Sequence, residues 1–126
     1  MEKKIINTIN APAPIGPYNQ AIMIDNILYI SGQVCIDPVT NDLKNKDLQE
    51  ETHQVMANLK AILQAAGMTF NNVVKTTIFL TDMKRFSELN EIYGKYFEND
   101  FPTRETVQVS ALPKFVNVEI SMIAAR

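Results

Sequence analysis

The stretch Val73-Val74-Lys75-Thr76-Thr77-Ile78-Phe79-Leu80 is rich in β-branched and apolar residues, so it reads as a strand. Its apolar side chains occur at both parities, which places them on both faces and asks for cover on both. Helices flanking it in sequence supply one cover. Over residues 48–66, Val55, Met56, Leu59, Ile62, Leu63 and Ala66 recur at helical spacing and draw one apolar stripe. Asp47 with Glu50 resembles a capping pair at the start, and Gly67 stands at the C′ position where the helix ends. A second helix is expected over 83–98, with Phe86, Leu89, Tyr93, Tyr96 and Phe97 inward.

Working outward, two β-like runs precede the first helix, Tyr18–Ile24 and Ile27–Val34. Asp25-Asn26 between them suits a two-residue hairpin, because both residue types tolerate positive φ. The Pro/Gly cluster at 11–17 reads as a constrained loop. Two last strands are expected at 105–111 and 116–125, split by Leu112-Pro113-Lys114. The order is ββαβαββ with an additional strand at 4–8: an α+β domain over 1–126, with a six-stranded mixed sheet and two helices on one face. In so short a chain the second cover for 73–80 must come from another subunit. Oligomerisation follows from the pattern; the number of subunits does not.

Composition narrows the function. At 126 residues, with 46% hydrophobic and 21% charged, the chain is an ordinary globular one, long enough for a real core. A net charge of −2 offers no basic field to a phosphate backbone. One cysteine, Cys35, excludes an internal disulfide, and one histidine, His53, leaves no Cys/His metal cluster. The start lacks the apolar run of a signal peptide and no segment is long enough to span a membrane. A cytoplasmic protein is expected.

Strand parity sets some polar residues in unusual company. Val118, Ile120, Met122 and Ala124 share one face of the last strand, and Asn117, Glu119 and Ser121 the other. Arg104, Thr106, Gln108 and Ser110 align opposite Val107 and Val109, and Asn90 follows Phe86 by four on the second helix. Arg104 is either a solvated or ion-paired cation or a carboxylate clamp, since a guanidinium fork matches two carboxylate oxygens at any working pH. Glu119 is either an edge-strand surface residue or a buried acid. Asn90 reads equally as a surface amide, and Tyr18 as an aromatic packed on Pro17. His53, off the apolar stripe, is expected to be solvated, and Cys35 to be a small buried apolar residue rather than a nucleophile.

Taken together, the strings are more specific. Ala11-Pro12-Ala13-Pro14-Ile15-Gly16-Pro17-Tyr18, Ser31-Gly32-Gln33, Val74–Asp82, Asn90-Glu91-Ile92-Tyr93, Phe101-Pro102-Thr103-Arg104, Val107-Gln108-Val109, Leu112-Pro113-Lys114 and Val118-Glu119-Ile120 resemble, in order, the motifs of the RidA/YjgF family of imine deaminases. That resemblance implies a chorismate-mutase-like domain assembling as a homotrimer with a central barrel and sites between subunits. It implies a cofactor-free and metal-free imine hydrolase. Its substrates would be 2-iminobutanoate and 2-iminopropanoate, released by pyridoxal-phosphate enzymes, in isoleucine biosynthesis or metabolite detoxification. By motif, Arg104 takes the place of the carboxylate-binding arginine and Glu119 that of the acid that handles water. Tyr18, Ser31, Gly32 and Asn90 match other pocket positions. Many relatives read Arg-Ser-Cys-Val where this chain has Arg104-Glu105-Thr106-Val107. Thr106 therefore stands in the cysteine's place, which excludes a thiolate mechanism there. Two rival functions remain: a 2-keto-acid-binding regulator in the same cleft, and the endoribonuclease or translation inhibitor that the family is also called. No histidine pair is available for RNA cleavage.

Overall fold

A computed structural model describes residues 1–126. One mixed sheet is built from β1 (Lys3–Ile6), β2 (Ala21–Ile24), β3 (Ile27–Gln33), β4 (Val73–Leu80), β5 (Thr103–Gln108) and β6 (Val118–Ala125), with α1 (Leu48–Ala65) and α2 (Phe86–Gly94) packed together on one face. The strand order is β1-β2-β3-β6-β4-β5. All neighbours are antiparallel except β4 and β5, which α2 joins as a parallel crossover.

α1 forms as its sequence dictates. The Asp47 side chain accepts the Glu50 N–H at 2.8 Å, and Gly67 turns the chain away at φ 73. The Arg126 guanidinium donates to the Ala66 carbonyl at 3.0 Å, bringing a cation to a helix end that has none of its own. Val55, Met56, Leu59, Ile62 and Leu63 are fully buried against Leu28, Ile78, Val118 and Ile120 of the sheet. The β2–β3 hairpin turns on Asp25-Asn26, with Asp25 alone at positive φ (52°).

Several boundaries differ from the sequence reading. The first β-like run becomes a strand only from Ala21, because Gln20 turns inward to hydrogen-bond the 8–12 loop instead. Of the expected 83–98 helix, 83–85 is a 3-10 turn capped by Asp82 and the α-helix ends at Gly94, although Tyr96 and Phe97 still pack inward. β5 begins two residues earlier and ends at Gln108. β4 is buried on one face and mixed on the other. Thr76, Ile78 and Leu80 are buried under the helices, whereas Lys75, Thr77 and Phe79 form a mixed and partly exposed row on the open face; a register shift between Val73 and Lys75 leaves Val74 half-exposed. His53 is only partly exposed: its Nδ1 pairs with the Tyr96 hydroxyl, beside Phe70. No helix is long and apolar enough to cross a membrane.

Leu59→Ala removes a fully buried side chain from the centre of the α1 face. A loss of about 3 kcal/mol is expected in urea unfolding, as a lower midpoint at unchanged slope.

Candidate active site

β3 carries a register shift between Ile30 and Gln33, so Ser31 and Gly32 lie in a bulge beside β6. Ser31 Oγ donates to the Asn19 carbonyl at 2.6 Å, and its N–H to the Gln20 carbonyl at 2.9 Å. Gln20 is buried and ties down the Pro-rich loop: Nε2 donates to the carbonyls of Thr8, Ala11 and Pro12 while Oε1 accepts the Thr8 N–H. The Tyr18 ring folds back over Gly16, its hydroxyl accepting the Ile15 N–H at 3.4 Å. Together these elements wall a cleft of about 360 Å³, with Pro12, Ile15, Tyr18, Ser31, Gly32 and Glu119 in its lining.

Glu119 reaches this cleft from the open face of β6, where it is half-buried. It takes part in none of the ion pairs and accepts no hydrogen bond within the chain. Burial without a partner pushes its carboxyl pKa up from the ordinary value. Gly32 makes this placement possible: a Cβ there would stand 2.6 Å from Glu119 Oε2 and 2.8 Å from its Cδ. The glycine leaves the room this position of the carboxylate uses; its backbone conformation does not call for glycine.

Arg104 belongs to a second group of residues. Its Nη1 donates to Asn90 Oδ1, and its guanidinium lies over the rings of Phe86 and Tyr93, 5.3 and 5.4 Å from their centroids. These contacts orient the fork. No carboxylate neutralises it, since Glu105 next to it pairs with Lys75. Arg104, Asn90, Tyr93, Phe101 and Pro102 line a pocket of about 450 Å³. Asn90 is exposed rather than part of the buried stripe. Tyr93, beneath it, has its hydroxyl pKa raised by burial. Thr106, two residues on and on the same face as Arg104, holds a buried hydroxyl with no hydrogen-bond partner.

The register separates the two groups. Arg104 pairs with Thr76, which pairs with Met122; both partners are buried under the helices. Glu119 pairs with Phe79 on the open face. Arg104 and Glu119 thus lie on opposite faces of the sheet, two strands and three residues apart, or about 14 Å between Cα atoms. Of the candidate residues, Tyr18, Ser31, Gly32 and Glu119 come together, and Asn90 and Arg104 come together, but not one group with the other. The sequence reading missed Gln20, the brace of the loop, for want of any periodic signal. Cys35 is fully buried, as the sequence reading expected, and desolvation together with Glu51 holds its thiol pKa up at about 11.

A mixed six-stranded sheet bearing two helices, a Pro-rich loop closing over a Ser-Gly bulge, and an uncompensated arginine at the sheet edge define a class of protein. Residues 8–126 match the family described as Endoribonuclease L-PSP. A 2-iminobutanoate/2-iminopropanoate deaminase of Mus musculus is 50% identical over 98% of this chain and 92% of its own length. A RutC family protein of Pyrococcus horikoshii is likewise 50% identical, over 97% of each chain. Among solved structures, the Rid family protein YyfA of Yersinia pestis superposes with a TM-score of 0.96 at 50% identity, covering 99% of this chain and 100% of its own. TdcF of E. coli, solved with bound serine, gives 0.94 at 40% identity, covering 98% of each. The chain belongs to the Rid/YjgF family.

Because the folded state holds the Glu119 proton more tightly than the unfolded chain does, the ionised side chain weighs against folding. Below the ordinary carboxylate pKa the group is neutral in both states and the penalty vanishes; it grows as pH rises toward the raised folded value and is complete above it. For the chain on its own, Glu119→Gln is therefore expected to raise Tm at neutral pH and to show no gain in acid below the ordinary carboxylate range. A gain that does not vary with pH would remove burial as its cause.

Proposed function

We propose that this chain assembles as a cytoplasmic homotrimer and hydrolyses 2-imino acids to 2-keto acids and ammonia, as a 2-iminobutanoate/2-iminopropanoate deaminase. The observation that carries the reading is the placement of Glu119, a half-buried carboxylate with no partner, held in a small cleft against Gly32. A 2-keto-acid sensor needs the arginine but has no use for a water-handling acid. Curated relatives of near-full length carry the deaminase name, and a relative solved with serine suits a site for a small α-substituted carboxylate.

The two groups divide the work. Arg104 binds the substrate carboxylate through its planar fork, a charge-assisted contact that no internal acid competes for. C2 of the substrate is bonded directly to that carboxylate, so the acid attending C2 must stand within a few ångströms of Arg104. In one chain it does not. A second copy, laying its Arg104 edge beside this chain's Glu119 cleft, completes the site and also covers the open face, where Tyr29, Val74 and Val107 are half-exposed. Water held by Glu119 adds to the iminium carbon; one of its protons passes to the carboxylate, and the C=N electron pair moves to nitrogen. The resulting carbinolamine takes that proton on nitrogen and the C–N bond breaks to release ammonia; the hydroxyl gives its proton to the freed Glu119 carboxylate as its oxygen closes the ketone, and ammonia takes that proton to leave as ammonium. Position, charge balance and proton relay suffice. The ribonuclease reading lacks an acid–base pair, since the one histidine is engaged with Tyr96.

Light scattering at micromolar concentration is expected to give a trimer; a monomer would leave both half-sites unjoined.

Imine generated in situ by threonine dehydratase, with semicarbazide as competing trap, tests the reaction. Purified protein is expected to release 2-oxobutanoate and ammonia ahead of the trap. Arg104→Ala is expected to lose about a hundredfold or more in kcat/KM along with affinity for 2-oxobutanoate, and Arg104→Lys to recover part. Glu119→Gln is expected to keep that affinity while turnover falls. Unchanged turnover in Glu119→Gln removes the water-handling role; Thr106→Cys as an absolute requirement for activity removes the thiol-free mechanism.

A further inference from the structure

Glu119 leaves β6 near its start, where the strand is held least. On the β3 side the ladder ends at Gln33–Ile120, so residues 118 and 119 pair with β4 alone. Their remaining support comes from another carboxylate. Glu51 of α1 is fully buried, and its Oε2 accepts the backbone N–H of Asn117 at 2.7 Å and of Val118 at 2.9 Å. Its Oε1 accepts Asn117 Nδ2 at 2.8 Å. No cation pairs with it; three N–H donors satisfy a charge that would otherwise be costly to bury. Asn117 in turn accepts the Thr81 N–H on its carbonyl at 3.1 Å, closing the end of β4 onto the same point.

We infer that Glu51 is a positioning residue for the proposed reaction: by fixing the main chain of Asn117 and Val118 it sets the direction in which Glu119 points at Gly32. An apolar side chain would fill the same place under the sheet but leave the N–H groups of Asn117 and Val118 without acceptors, so the place calls for an acceptor aimed at the strand start. The requirement it meets is directional. The Glu119 carboxylate occupies the space that a Cβ at residue 32 would fill, and the direction of the strand end aims it there. The inference rests on the proposed function for its chemistry, but not for its geometry.

Glu51→Gln keeps the shape, retains one acceptor oxygen and turns an NH2 toward a donor. A fall of about tenfold or more in kcat, with KM within about twofold, is expected from misplacement of the acid alone. In a Glu119→Gln background the same substitution is expected to cost nothing further, since the group it positions is already gone. An equal loss in both backgrounds overturns the inference, as does a loss confined to KM. If Glu51→Gln does not fold, Asn117→Ala, which removes one of the three donors at an exposed residue, takes its place in the same cycle. Crystal structures of the trimer read the geometry without activity: displacement of the Glu119 carboxylate from Gly32 in the variant supports the inference, and an unmoved carboxylate overturns it. Absence of ammonia release by wild type would remove the proposed function while leaving that structural outcome to decide the role of Glu51.

Discussion

The last strand of the chain occupies the middle of the sheet. β6 enters between β3 and β4 and pairs antiparallel with both, and its Val118, Ile120, Met122 and Ala124 form the floor on which the helices pack. Until it arrives, the β1–β3 meander and the β4–α2–β5 unit share no hydrogen-bonded edge. Its pairing with β3 closes loops of about ninety residues, a slow and entropically costly step that hydrophobic burial must repay. The buried Glu51 carboxylate supplies a directional element at the entry point, receiving the two N–H groups that begin the strand.

Strand alternation then decides the chemistry. Residues one apart on β6 face opposite ways, so the same strand presents an apolar floor to the helices and Glu119 to the open face. Arg104, on the outer strand, faces the helix side and rests on Phe86 and Tyr93. Within one chain the acid and the cation cannot pair. In the single chain the arginine is left free for an anion and burial raises the carboxyl pKa.

The same separation makes the proposed site depend on assembly. A second copy would bring an arginine edge to each acid cleft and cover the mixed row of Lys75, Thr77 and Phe79. Binding and proton transfer would then be supplied by different subunits, which lets each half be rigid in its own right. Gln20 and the Ser31 contacts hold one half; Asn90 and the aromatic rings hold the other.

Period and parity were legible in the sequence. The α1 stripe, the Asp47 cap, Gly67 and the Asp25-Asn26 turn are local signals, each with its own physical cause, and each forms as read. The alternation that puts Glu119 opposite the core is equally local. Glu51 and Asn58 also carry a signal, because polar residues on a buried helical stripe require partners; the partners themselves, backbone groups at 117–118 and 34–36, lie far away in sequence. Strand order, the insertion of β6, the inward turn of Gln20, the pairing of His53 with Tyr96 and the division of the site residues into two groups belong to the tertiary structure alone. Each depends on which distant segments meet. A one-dimensional pattern records which face of an element is apolar, but not what that face will find.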